Sequence, residues 1–461
     1  MAEISEVDDQ KLCGNVVICI GKMLKQLPQV NAECSIYQVS KELLEINRKA
    51  YIPQLISIGP IHHGTNNDLV ANQQYKLQGF INFLRRININ NKQILSMEDI
   101  LQTGTLNTLV EKAHHWVEEA RNCYTSPPIN TIDMDAFVIM MLVDACFIVE
   151  FLILKFDYDH PNGKFLQIQD NIDISFYQGM DLHILYDLIK LENQVPFFLL
   201  QYLFDLIPKH DISMMISSFR DLTLRALKFR LVRTYEINLF KEPKHFVDLL
   251  TFYFVPSAGQ KVNNQHGIFK STIEEKNRWI PPSITELREA GVTIKKAEKA
   301  KHLTDITFKN GVLRIPPLHI YDEFELVLRN MVAFEQISAR KMNKYVIQYV
   351  LFMDDLISTE KDVRLLVEAG VIINQIGGSD KEVADLFNNF CKFITAPKSS
   401  NFDSIIKDLC EHCNGRWNRA KASLKHNYFN TPWAFISFFA ATLLILLTLL
   451  QTIFTAITTF T

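Results

Sequence analysis

FVIMMLVDACFIVEFLILKF, residues 137–156, is the stretch on which the fold turns. As a helix rising about 1.5 Å per residue it covers about 30 Å, enough to cross the hydrocarbon core of a bilayer or to run through the centre of a large domain. Asp144 near its middle and Glu150 decide between the two, because two acids in a spanning helix together carry a heavy insertion penalty. The segment is expected to be the core helix of a large α domain, apolar nearly all round because it is buried on every side.

A second apolar run has no such interruption. From His426 to Thr461 there is no Asp, Glu, Lys or Arg, and within it FISFFAATLLILLTLLQTIF, residues 435–454, is long enough to span a bilayer. Its Leu, Ile and Phe side chains outweigh Gln451 and the few hydroxyls on the insertion scale, so a transmembrane anchor over 432–456 is expected. Thr431 suits its N-cap and Pro432 its first helical position, while Tyr428 and Trp433 suit the headgroup layer. Arg416, Arg419, Lys421 and Lys425 lie just before it, which by the positive-inside rule places the bulk of the chain in the cytosol, at the plasma membrane or an endomembrane alike. The opening MAEISEVDDQ is acidic, and Val16–Ile20 is too short for the apolar core of a signal peptide. Together these describe a single-pass, tail-anchored membrane protein. Thr442 and Thr448 on the anchor are expected to bond their own backbone or to support helix pairing.

The residues before the anchor are numerous enough for two or three domains. A net charge of −3 without a long basic stripe argues against nucleic acid as a partner. The run Lys295–Lys301 reads as a solvated surface rather than a lipid or RNA patch. Eight scattered cysteines lack the density of a secreted disulfide scaffold and fit reduced cytosolic thiols.

Helical periodicity dominates around Phe80–Ile87, Leu106–Tyr124, Phe137–Phe156, Leu182–Ile207 and Leu326–Leu356, so the fold class is mainly α, a multi-helix soluble part with a small β-hairpin and one C-terminal transmembrane helix. Polar, Gly/Pro-bearing stretches interrupt it at 157–173 and 256–282. The organisation expected is an N-terminal tail (1–34), a first helical part (35–255), a linker (256–282), a second helical part (283–428) and the anchor. The hairpin is ITFKNGVLRI, 306–315, where Asn310-Gly311 forms a type I′ turn that sets Phe308 opposite Leu313. Thr359-x-x-Asp362 reads as a capping box, Ser379-x-x-Glu382 as a second helix start, and Gly370 as a helix C′ residue.

Asp144 and Glu150, six residues apart, point about 120° apart on a helix and form no carboxylate pair by themselves. Asp144 needs a partner from elsewhere: Asp187, Glu192 or a basic side chain. In DLIKLENQVPFFLL, Glu192, Asn193 and Gln194 precede Pro196, which breaks or kinks a helix there. They form either a polar corner for binding or, the favoured reading, a loop whose side chains tie down backbone groups. His62-His63 sits in the Gly/Pro-bounded loop SIGPIHHGTNND, where no further ligands complete a metal site, so packing or hydrogen bonding is preferred to metal binding. Cys410 and Cys413 match CxxC formally but lie in a helical stretch, and unconnected thiols are expected. No P-loop, GxSxG elbow, GxGxxG after a strand or kinase set occurs. No cofactor is expected.

YIPQLISIGPIHHG, MLVDACFIVEFL, LIKLENQVPFFLL, ITELREAGV, FKNGVLRIPPL, RNMVAFEQ, FMDDLISTEKDVRLLVEAGVI and the closing YFNTPWAFISFFAATLLILLTLLQTIFT, in this order, resemble the signature blocks of the plant-specific domain of unknown function 247 family, from about Ser35 onward. The resemblance implies a plant protein with a helical domain and a C-terminal membrane anchor, and implies no reaction. Some grass members are associated with pollen-side self-incompatibility loci, so recognition or signalling is the theme it suggests. The blocks mark Pro60, His62, His63, Gly64, Asp144, Glu192, Asn193, Gln194 and Pro196 as candidate positions. Ile61 stands where a Tyr is expected before the His pair. Two readings follow: an interaction module that binds a protein partner, and a membrane-anchored enzyme with a pocket of Asp144, Glu192 and the His62-His63 loop.

Overall fold

The computed structural model describes residues 34–460 except 65–71, 89–96, 103, 126–128, 130–131, 161–180, 209–214, 228–240, 257–278, 339–342 and 416–431, together with positions 17, 19, 20 and 22. Most of the expected tail and linker, and the polar stretch after residue 160, lie outside the described residues. In the first half the helices are α1 (Lys41–Ile46), α2 (Gln73–Ile87), α3 (Met97–Gln102), α4 (Thr105–Asn122), α5 (Met134–Asp159), α6 (Asp181–Leu188), α7 (Phe197–Phe204), α8 (Phe219–Ala226) and α9 (Phe246–Thr251). The second half contributes α10 (Ile284–Glu289), strands β1 (Thr293–Lys296), β2 (Thr307–Lys309), β3 (Val312–Ile315) and β4 (Leu318–Ile320), then α11 (Phe324–Ile337), α12 (Tyr345–Leu356), α13 (Glu360–Glu368), β5 (Ile372–Asn374), α14 (Asp380–Phe390) and α15 (Asp403–Asn414). The last helix is α16 (Pro432–Phe460). Among the described residues the chain is mainly helical with two small sheets.

Helix α5 begins where the Asp133 carboxylate accepts the backbone N–H groups of Asp135 and Ala136. Its apolar window is 83% buried, so it is the core helix expected from its acids. It packs most extensively on α2, and Gly79 permits the approach: a Cβ there would lie 2.9 Å from a Phe147 ring carbon and 3.1 Å from the Phe147 Cα. The apolar run 182–207 is two helices, with Pro196 as the N-cap of the second, in line with the break its missing N–H predicts. The run 326–356 is likewise divided, into α11 and α12, the latter entered through Lys344 at φ 45°.

The hairpin forms as expected, with Phe308 opposite Leu313 and the turn residues Asn310 and Gly311 at φ 52° and 72°. It is joined by β1, parallel to β3, and a separate parallel pair links β4 to β5. Neither parallel pairing was anticipated. The Thr359/Asp362 capping box is present, Ser379 accepts from the Glu382 N–H, and Gly370 has φ 68°. A capping box at Ser283/Glu286 opens α10. One apolar core crosses the expected boundary: Phe254 meets Tyr349 edge-on, and His245 meets Phe334 with ring centroids 4.8 Å apart. Helix α16 has 29 residues, and its apolar window Ile436–Thr455, of mean hydropathy 2.2, is nowhere buried. The hydroxyls of Thr442, Thr448, Thr452 and Thr455 donate to carbonyls one turn back, which satisfies them within the helix.

Candidate functional site

The segment Tyr51–His62 has neither helical nor strand structure and is largely buried. Buried irregular backbone must find a partner for each N–H and C=O, because it has no ladder of its own. Here side chains supply them. Asp187 accepts the N–H groups of Gln54, Leu55 and Ile56, at 2.6 Å for Leu55 and 2.9 Å for Ile56. Asn193 accepts from the Ile58 N–H at 2.6 Å and donates to the Ile56 carbonyl. Asp144 accepts from the Gly59 N–H at 2.8 Å through one oxygen and from the Lys76 ammonium at 2.6 Å through the other. Lys76 also donates to the Ser57 carbonyl, and Lys190 to the Ile52 carbonyl and to Asp187. Asn330, from α11, donates to the Ala50 carbonyl and accepts from the Leu191 N–H, so it ties this segment to the 188–196 turn.

The remaining candidates close the same structure. Glu192 accepts from the Val39 N–H at 2.7 Å with one oxygen and lies 2.8 Å from His62 Nε2 with the other. The Gln194 amide donates to the carbonyls of Leu188 and Lys190 and accepts from the Phe246 N–H. Gly59, at φ 69°, passes so near the 194 peptide that a Cβ would sit 2.7 Å from the Gln194 carbonyl oxygen. The Tyr124 hydroxyl donates to that carbonyl, and burial pushes its pKa well above the usual phenol value. Of the six candidates, Asp144 and Asn193 bond the backbone at Ile56–Gly59, Glu192 joins the His62 ring to Val39, and Gln194 braces the turn beside Gly59, whereas His63 is exposed. What fills the space between them is the chain itself. The Asp144 partner is the basic side chain among the three options. Glu150 faces elsewhere along α5 and takes a two-point ion pair from Arg86 at 2.9 and 2.6 Å.

Sequence reasoning missed Lys76, Arg86, Lys190 and Asn330. Lys76 and Arg86 lie in an amphipathic helix, where cations usually mark the wet face; the only signal was that two acids stranded in an apolar helix require two cations. The i, i+3 spacing of Asp187 and Lys190 was a second signal.

The arrangement orders backbone. Among the described residues no group of three or more His, Cys, Asp and Glu is placed to hold a metal. Among the described residues surface grooves include the following. One of about 490 Å³ is mostly apolar, with Phe80, Val110, Ile139 and Leu142 in its lining and Asn107 and Glu111 among them. One of about 710 Å³ is acidic, with Glu286, Asp354, Asp355 and Asp362. The third, about 570 Å³, is lined by Asp322, Glu325, Arg329 and Asp385 among others.

A family model described as a plant protein of unknown function, DUF247, matches residues 36–447. The chain is 27% identical to UPF0481 protein At3g47200 of Arabidopsis thaliana over 91% of its own length and 85% of that protein. It is 23% identical to the putative UPF0481 protein At3g02645 of the same plant, over 96% and 94% of the two chains. No solved structure matches it.

Proposed function

The chain belongs to this plant family of unknown function, and from that premise we propose that it is a single-pass membrane protein whose helical body, on the cytosolic side, binds a protein partner in recognition or signalling. The observation that carries the reading is helix α16, 29 residues without a charged side chain and unburied over its apolar window. An apolar surface of that extent in water drives association, whereas a bilayer accommodates a helix about 43 Å long with tilt or projection at its ends. The four cations from Arg416 to Lys425 support the cytosolic side.

Support for an interaction role is of two kinds. The polar candidates are committed to holding residues 50–62, so a catalytic pocket of Asp144, Glu192 and the His62-His63 loop would need acceptor atoms the fold already uses. The apolar groove beside Ile139, whose side chain is 64% exposed on the core helix, offers a seat for a partner's apolar side chain.

The test uses the full chain in plant membranes, with an epitope at its N-terminus. Retention after alkaline carbonate and digestion of the body by added protease without detergent are expected. Release by carbonate would overturn the anchoring, and protection until detergent is added would overturn the orientation. A photoreactive residue at Ile139 should give a discrete adduct that Val110→Glu removes. Adducts unaffected by that change would sink the groove as the contact.

A further inference from the structure

The three-stranded sheet presents one face to solvent. Leu313 and Ile315 of β3 are fully buried, so the alternation of side chains puts Val312 and Arg314 on the outer face, with Thr293 and Lys295 beside them on β1 and Thr307 and Lys309 on β2. None of these six positions is acidic, and each strand contributes one cation, all three exposed. Lys295 and Arg314 are register partners, directly opposite across adjacent strands. A like-charge pair in that position weakens a sheet unless an anion lies between the two. Among the described residues Lys295, Lys309 and Arg314 enter no ion pair; the acid at hand, Glu298, is 3.4 Å from Lys296 instead. Lys299, also exposed, extends the cationic stretch beyond β1.

Helix α15 packs against β2 from the opposite side, His412 meeting Phe308 edge-on with ring centroids 5.6 Å apart. From the end of that helix at Asn414, only residues 415–431 intervene before α16 begins at Pro432. At full extension they reach about 60 Å at most, which sets the greatest distance between the end of α15 and the start of α16. Four further cations, Arg416, Arg419, Lys421 and Lys425, lie in that interval.

From the unneutralised outer face and its short tether we infer that the sheet is a docking surface for an anionic lipid bilayer, the same membrane that holds α16. The inference rests on the anchoring proposed above. The tether keeps the face at high effective concentration over the lipid, so a few cations suffice where free binding would need many. The contact lays the β-sheet on the headgroups and fixes which side of the body faces outward to a partner. It is screened by salt, as any exposed charge contact is.

The experiment uses the full chain reconstituted into vesicles of phosphatidylcholine, or of phosphatidylcholine with about a third phosphatidylserine to supply a negative surface. A fluorescent amino acid replaces Thr293 on the outer face, and a spin-labelled lipid headgroup acts as quencher. Quenching several-fold stronger in the phosphatidylserine vesicles is expected, lost in high salt and lost when Lys295→Gln, Lys309→Gln and Arg314→Gln are combined. Equal quenching in both vesicles, or quenching that survives the triple substitution, would overturn the docking while carbonate-resistant flotation left the anchoring intact. Release by carbonate from both vesicles would overturn the anchoring and the tethered docking with it. A salt-sensitive fluorescence change with single-stranded RNA but not with anionic vesicles would assign the face to nucleic acid and overturn the lipid contact.

Discussion

At the scale of single residues, the buried polar groups act as a jig for one piece of chain. Asp187 takes three backbone N–H groups and the Lys190 ammonium, so Asp187→Ala leaves three donors unpaired and a buried cation without its counter-charge. A loss of about 3–5 kcal/mol is expected by denaturant titration of the full chain in detergent. Asp187→Asn, which keeps one acceptor, should cost less. Asp144, Glu192, Asn193 and Gln194 were legible in the sequence because polar side chains stand out in apolar runs. Their role was legible only in part, since the groups they serve are backbone atoms, and every residue has those. Glu335 offers a pH test. Burial drives its carboxyl from 4.5 up to about 7, although it caps α12 by accepting from the backbone of Val346 and Ile347. The folded chain then holds a proton the unfolded chain has released, so this contribution to stability is full below pH 4.5 and is lost as pH rises through about 7. The whole change amounts to about 3 kcal/mol. Unfolding midpoints measured from pH 5 to 8 should fall more steeply for the natural chain than for Glu335→Gln.

At the scale of elements, the closest joint is between α2 and α5. Gly79→Ala drives a methyl to 3.1 Å from the Phe147 Cα, an atom that cannot rotate away. A loss of about 1–3 kcal/mol is expected in the same titration, and Phe147→Leu should not restore it. Helix ends and the hairpin were readable because their signals are local: Thr359 with Asp362, Ser379 with Glu382, Asn310 with Gly311. The parallel pairings were not. Strand β1 meets β3 across a connection that contains β2, β4 meets β5 across three helices, and TIKK or LHI carries too few residues to announce a strand. The split of the 182–207 run was visible at Pro196, whereas the split of 326–356 at Lys344 had no comparable marker.

At the scale of the whole molecule, α16 adds nothing to the core, so a chain ending at residue 431 should match the full chain in thermal unfolding while moving from the membrane to the soluble fraction. A coupled loss of stability would mean that α16 packs on the body. The long, unburied apolar helix α16 and the buried character of α5 were both readable from charge placement. The union of the two halves into one core was not, because Asn330 bonds the Ala50 carbonyl across 280 positions and no local pattern reports that. That bond also sets a timetable for synthesis. Asp144, Asp187 and Asn193 can hold residues 54–59 as soon as the first half is made, but the Ala50 carbonyl and the Leu191 N–H wait for Asn330, so the jig stays incomplete until that residue has left the ribosome. About a hundred further residues then precede α16, which at 5–20 residues per second is about 5–20 s. Within that interval α12 to α15 and β5, which belong to the same core, are also made, so the body completes only shortly before the apolar α16 emerges, and a substitution that slows closure would expose an open body and an apolar helix to the cell at once.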